Sequence, residues 1–342
     1  MDFRNPYREE TSIQDNAIRE TNDDATTSKF SAINTGYIKD DFVKFFVKKP
    51  ARRPPIINRG SYVRNTQLDF LITKFLDIEG SDVKKQIVSL GAGSDTRYFH
   101  FKSLSRKFYK YFEIDYPEIT SKKVFTIHKH KELFNLIGSD AKIGKGGTEI
   151  YASDYCLLAG DLRKFVEVLV PRMESNGFDR SLPTLFLSEC VMIYMDPEDS
   201  NKIVEWAGAN LISTMFLVYE QILPNDAFGS TMLQNLKLRN IELRGIHAYP
   251  DLESQKSRFL SRGWSHAEAI DINEIHDSHI DSKELARMSK LEILDELEEW
   301  HLLAAHYCIA WAYKVIDESQ KLLYDKVRFV DYRKKERKGQ SC

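Results

Sequence analysis

Apolar positions in the middle of the chain fall into short unbroken runs, separated by longer stretches with helical spacing. The clearest run, Ile87, Val88 and Leu90 in QIVSLGAGSDTRYF, stops at Gly91-Ala92-Gly93 and is followed by polar and aromatic residues. Strands with one wet face alternate apolar and polar positions, whereas strands buried on both faces do not. This stretch therefore predicts a buried parallel strand, a glycine turn and the start of a helix. Tyr109 to Ile114 predicts a second strand, ended by Asp115-Tyr116-Pro117, and Tyr155 to Ala159 a third, ended by Gly160-Asp161-Leu162-Arg163. Leu185 to Leu187 leads a fourth, with Glu189 at its outer end, and Thr214 to Val218 makes a fifth, ended by Tyr219-Glu220-Gln221. Such runs with helical patterns between them predict an α/β protein with an open, mostly parallel sheet. Ser265 to Ile272 is a candidate sixth strand, and His306 to Lys314 a last strand or helix.

The flanking segments read differently. Residues 1–28 are polar throughout and lack an apolar core, which predicts an unstructured tail and no secretory signal. Lys29 to Phe46 reads as a short polar lead and an amphipathic helix carrying Tyr37, Phe42, Phe45 and Phe46. In KKPARRPPIINRGSYVRN the prolines Pro50, Pro54 and Pro55 argue against regular helix. Arg59 and Arg64 interleave there with Ile56, Ile57, Tyr62 and Val63, so the segment is expected to dock on the body and carry cations inward. Leu68 to Leu76 returns to helical spacing. Residues 122–153 combine a basic helix with a Gly-rich loop, an excursion from the sheet, and residues 228–263 read as charged amphipathic helices suited to a lid. Leu291 to Leu303 predicts a further helix, with His301 and His306 as packing residues. The resulting organisation is a tail (1–28), an N-terminal helical segment (29–80), a core domain (81–320) with a lid insertion (222–264), and a basic tail (321–342) containing RKKERK.

Composition narrows the partner. Lys+Arg 49 against Asp+Glu 51 gives a net charge of −2, so no global field selects nucleic acid or an anionic membrane. Cys156, Cys190, Cys308 and Cys342 are far apart and form no CxxC pair, as expected of a chain kept reduced in the cytoplasm or the nucleus. The histidine pairs His128/His130 and His276/His279 have no third ligand nearby in sequence, so no metal is expected.

The chemistry lies at the strand ends. In an open parallel sheet ligands bind outside the carboxyl ends of the strands, and glycines there let backbone approach a ligand. Asp115 follows Gly93 by 22 residues, close to the spacing of an acid that accepts from ribose hydroxyls. Each feature has a plainer alternative: the glycines could serve the turn alone, and Asp115 could cap the next helix. Together, however, Asp115, Asp161, Glu189 and Glu220 at successive strand ends favour a ligand with hydroxyls, an amine and positive charge. A cationic nucleoside fits; a pyrophosphate would be repelled. The glycine turn with Asp115 also leaves an NAD-dependent oxidoreductase as an alternative.

The chain resembles the leucine carboxyl methyltransferases, which methylate the C-terminal leucine of type 2A protein phosphatase catalytic subunits. The resemblance is carried by INRGSYVR, IVSLGAGSDTRYF, YFEIDYP, GDLR, PTLFLSECVMIYM, YEQ, LESQKSRFLSRGW and HYCIAWA, in order between Lys29 and Lys314. It implies a class I S-adenosylmethionine-dependent methyltransferase fold, with a seven-stranded, mostly parallel sheet, helices on both faces, added N-terminal helices and a helical lid. It also implies that Gly91 and Gly93 cradle the methionine part of S-adenosylmethionine, that Asp115 holds the ribose and that Asp161 and Leu162 meet adenine. Glu189 would sit beneath the sulfonium and amino group, and Arg64 and Lys29 would pair with the cofactor carboxylate. Arg64, Tyr194, Tyr219 and Gln221 become the acceptor-side candidates. The expected partner is the C-terminal leucine tail of the type 2A phosphatase catalytic subunit, and the chain is expected to be a monomer; a small-molecule methyltransferase and a non-catalytic carboxylate-tail binder are the alternatives within this reading.

Overall fold

The computed structural model describes residues 6–78, 83–144 and 146–333. One sheet runs through it, built from β1 (Gln86–Leu90), β2 (Lys110–Asp115), β3 (Lys142–Ile143), β4 (Ile150–Tyr151), β5 (Tyr155–Ala159), β6 (Thr184–Glu189), β7 (Ser213–Gln221), β8 (His266–Asp271) and β9 (Tyr307–Val315). Their spatial order is β3-β4-β5-β2-β1-β6-β7-β9-β8. β5, β2, β1, β6 and β7 are parallel, while β9 runs antiparallel to both β7 and β8. Removing the short β3 and β4 leaves the expected seven strands. Those two strands come from the 122–153 excursion, which returns as a small antiparallel hairpin and extends the sheet edge at β5.

The helices are α1 (Pro6–Asn34), α2 (Pro55–Asp77), α3 (Arg97–Ser103), α4 (Pro117–Lys129), α5 (Lys131–Ile137), α6 (Val170–Ser175), α7 (Pro197–Asn210), α8 (Ala227–Leu238), α9 (Leu252–Leu260), α10 (Ile272–Ser278), α11 (Ser282–Met288), α12 (Leu297–Ala305) and α13 (Glu318–Tyr324). They cover both faces. Ile87, Tyr111, Leu185, Leu187, Met215 and Leu217 share one core with α2, α10 and α12. Val88, Phe112, Leu158, Phe186, Phe216 and Val218 share the other with α6, α7 and α9. This double burial explains the unbroken apolar runs. Among the described residues no helix is long and apolar enough to cross a membrane.

Four expectations are corrected. Residues 6–28 are not an unstructured tail: α1 starts at Pro6 and runs to Asn34, held by polar side chains that sequence patterning does not recognise as anchors, while residues 1–5 of the expected tail lie outside the described residues. The helix expected within Lys29 to Phe46 therefore ends at Asn34, and the following aromatics lie in irregular chain with one tight turn at Val43–Phe45, where Asp40 Oδ1 accepts from Phe42 N at 2.9 Å. The proline-rich segment becomes helical at Pro55, because a proline in the first turn gives up only an N–H that has no partner there. The chain after residue 321 is not all tail: Tyr324, Val327 and Phe329 are buried, and the Tyr324 hydroxyl meets Ser213 Oγ at 2.5 Å. Most of RKKERK lies outside the described residues.

Candidate functional site

A cleft of about 470 Å³ opens above the carboxyl ends of β1, β2, β5, β6 and β7. Lys29, Arg64, Gly91, Gly93, Asp115, Asp161, Leu162, Glu189, Tyr194, Tyr219 and Gln221 all line it, so the sequence-predicted residues come together in one place. Glu220 does not. Adjacent strand residues face opposite sides of a sheet, and Tyr219 and Gln221 take the cleft side. Glu220 points into the opposite core, where it accepts from Ile193 N at 2.7 Å and faces Arg258 at 3.6 Å. The acidic surface read from the strand ends is therefore smaller by one carboxylate.

The turn after β1 is shaped by close approach. Gly91 and Gly93 have φ of +60° and +52°, in the left-handed region that glycine adopts without strain. A Cβ on Gly91 would lie 2.6 Å from Val191 Cγ2, and one on Gly93 would lie 2.5 Å from Asn22 Oδ1. Asn22, from α1, accepts from Ser94 N at 2.7 Å and donates to Ser94 Oγ at 3.0 Å. Asp115, at the end of β2, accepts from Gly93 N and from Tyr116 N, each at 2.7 Å. Burial outweighs these bonds and pushes its carboxyl up to about 6. Asp161, after β5, accepts from Arg163 N at 2.9 Å, and Arg163 reaches on to Asp15 of α1 at 2.9 Å.

The centre of the cleft is ionic. Arg64, from α2, donates through Nε to Glu189 Oε2 at 2.9 Å and lies 4.8 Å above the Tyr219 ring. Arg97, at the start of α3, binds the other Glu189 oxygen and also holds Asp95 at 2.9 Å. Lys29 is fastened to Asp40 at 2.8 Å and to Thr96 Oγ1 at 2.9 Å. Beyond Arg64 the walls turn aromatic. Tyr219 stacks on Tyr307 with centroids 5.3 Å apart, and Tyr194, Ile272, Trp300 and Leu303 surround them. Cys190 turns the chain sharply after Glu189 with φ +54° and donates its backbone N–H to Tyr219 O at 2.7 Å. Burial pushes the Cys190 thiol up to about 12 and raises the Tyr194 and Tyr219 hydroxyls, so these groups stay protonated.

These residues fit S-adenosylmethionine. The glycine turn packs so closely against Val191 and Asn22 that bare backbone alone borders the cleft there, Asp115 offers carboxylate lone pairs for a diol, and Glu189 offers an anion for an ammonium or sulfonium.

Sequence reasoning missed the contributors from α1, Asp15, Arg19 and Asn22, because their polarity resembles that of disorder. It also left Arg97 unassigned within GAGSDTRYF, although a buried arginine directly after a glycine turn needs acids around it. The lid is narrower than residues 222–264. Leu236, Arg239, Ile241 and Arg244 border the cleft, but α9 buries Gln255, Arg258 and Phe259 in the body. His306 does more than pack: its Nε2 lies 2.9 Å from Asp226, the residue that caps α8 by accepting from Gly229 N at 2.7 Å.

The family model for leucine carboxyl methyltransferase matches residues 6–208. The leucine carboxyl methyltransferase 1 homolog of Arabidopsis thaliana is 42% identical over 296 residues, spanning 86% of this chain and 89% of that protein. Leucine carboxyl methyltransferase 1 of Schizosaccharomyces pombe is 40% identical over 298 residues, with 86% and 94% covered. The tRNA wybutosine-synthesizing protein 4 of Homo sapiens is 37% identical over 298 residues, covering 86% of this chain but 43% of the human protein.

Proposed function

The chain belongs to the leucine carboxyl methyltransferase family, and from that premise we propose that it methyl-esterifies the C-terminal leucine α-carboxylate of the type 2A protein phosphatase catalytic subunit. The observation that carries this reading is Arg64: a guanidinium standing between the strand-end acids and an aromatic wall, paired with Glu189 and stacked on Tyr219. Bound there, S-adenosylmethionine would supply a methyl group activated on a sulfonium; as the carboxylate oxygen forms the new O–CH3 bond in line, the S–CH3 bond would break and the neutral thioether would be the leaving group.

In this reading Asp115 holds the ribose, Asp161 and Leu162 border the adenine, Gly91 and Gly93 admit the methionine portion, and Lys29 and Arg64 bind its carboxylate. Glu189 stays beneath the positive charge. Arg64 also orients the acceptor carboxylate, while Tyr194, Tyr219 and Gln221 shape the pocket for the terminal residue. No general base is needed, because an α-carboxyl with a pKa of about 3.3–3.7 is already ionised at neutral pH. The protonated Cys190 and tyrosines accord with that. A reaction that merges a cation and an anion loses charge, so water favours the reactants; excluding water and fixing the approach are what the lid and Arg64 contribute.

The ester itself is the test. Incubating the protein with methyl-labelled S-adenosylmethionine and the phosphatase core is expected to give label on the catalytic subunit that mild alkali releases. Base-stable label would contradict carboxyl methylation. A small-molecule acceptor is the second reading; one relative is named for tRNA wybutosine synthesis, so the likeness by itself does not fix the acceptor.

A further inference from the structure

Glu189 is shared by two arginines that differ in freedom. Arg64 reaches its Oε2, and Arg97 its Oε1. The Arg97 side chain is 3% exposed and is also fastened to Asp95 and Asp69. Arg64 is 26% exposed and, among the described residues, pairs with no carboxylate other than Glu189. Arg97 is fixed by three anions from three parts of the chain: α2, the turn after β1 and the end of β6. Arg64 is the guanidinium that can turn.

We propose that Arg97 is a positioning residue that makes Arg64 releasable, so that the acceptor carboxylate binds more tightly once a cation has engaged Glu189. This rests on the carboxylate-acceptor reading above. Glu189 holds Arg64, and an acceptor carboxylate must compete for it. Drawing Arg64 away from a carboxylate with no second partner would strand a half-buried charge, which is strongly unfavourable. Arg97 removes most of that penalty by staying on Glu189. When Glu189 also faces a bound cation, the exchange becomes balanced: Glu189 keeps Arg97 and the cation, and Arg64 turns to bridge the cofactor carboxylate, which Lys29 shares, and the acceptor carboxylate. Coupling of this kind is reciprocal, so acceptor and cofactor raise each other's affinity by the same factor.

The test is equilibrium binding of the full chain to the phosphatase catalytic subunit, with its terminal leucine free or deleted, in the presence and absence of S-adenosylhomocysteine. That ligand keeps the ammonium but has no methyl to transfer. In the wild type the leucine-dependent part of the affinity is expected to rise about tenfold with S-adenosylhomocysteine, and the nucleoside to tighten equally with the phosphatase. Glu189→Gln no longer holds Arg64 by charge, so leucine-dependent affinity should become insensitive to the nucleoside. Arg97→Gln should weaken leucine-dependent binding most in the nucleoside-free protein, and Arg97→Lys should restore part of it. If Arg97→Gln does not fold, Arg97→Lys and Glu189→Gln carry the test alone. Equal leucine-dependent affinity in both conditions, or full coupling in Glu189→Gln, overturns the exchange and leaves the proposed function standing. A wild type with no leucine-dependent affinity in either condition contradicts the function and the exchange together.

Discussion

Asp115 sits where burial and ligand binding oppose each other. Its carboxyl is pushed up to about 6 by burial although two backbone N–H groups bond to it. The sign follows: with a folded value above the unfolded 3.8, the group favours the ligand-free fold at low pH, and that contribution is lost as pH rises from about 4 through about 6. Ribose hydroxyls donate best to the ionised form. Cofactor affinity should therefore fall as pH drops below about 6, by up to tenfold per unit, whereas Asp115→Asn should bind weakly with a flatter profile. Calorimetry at several pH values checks this, and a wild-type profile as flat as the variant's would remove Asp115 from the site. Asp115→Ala at neutral pH should weaken binding by ~1.5–3 kcal/mol, as expected for loss of a charged hydrogen-bonding group. Arg64→Ala should keep its fold and lose most turnover; a folded variant with wild-type turnover would refute the role given to Arg64.

At the scale of elements, α1 gives the sharpest disagreement between pattern and structure. The strands were legible because burial on both faces forces unbroken apolar runs, and the strand-end residues followed from the sheet. α1 was not legible, since what fastens it is polar: Asp15 to Arg163, Asn22 to Ser94, Gln14 to Glu242 O at 3.1 Å, and Lys29 to Asp40. Deleting residues 1–28 should therefore abolish cofactor binding while leaving a folded sheet, a result that binding and circular dichroism report separately. Retained affinity would mean that α1 is dispensable to the cleft. The lid differs again. It rests on a small cluster of Ile193, Ile241, Leu243 and Ile246, with Ala17, Tyr194 and Leu236 against it. So small a buried cluster places this segment at the low-stability end of the molecule, as the proposed lid role requires.

Across the whole molecule the two cores and the cleft are tied together by buried charge. Glu220 and Arg258 are buried on the far side of β7, and Glu220 fixes the turn at Met192–Tyr194 that carries Tyr194 to the cleft. Arg258→Met should lower stability by ~3–5 kcal/mol, because the Glu220 carboxylate would be left without its cation. Pairing it with Glu220→Gln should recover part of the loss in denaturant or thermal unfolding; a single variant as stable as wild type would contradict the pairing. The sequence could not show this pair, since Glu220 and Arg258 are distant in the chain and the strand-end pattern assigned Glu220 to the ligand. It did show the other strand-end acids, Asp115, Asp161 and Glu189, because among these strands β7 ends with its acid on the far face. The proposed function requires a C-terminal leucine carboxylate as the acceptor. The most direct measurement offers methyl-labelled S-adenosylmethionine to the protein with two phosphatase cores, one ending in its free leucine and one lacking it. Alkali-labile label on the first and none on the second is the predicted result; equal labelling of both, or none on either while the cofactor binds, would contradict it.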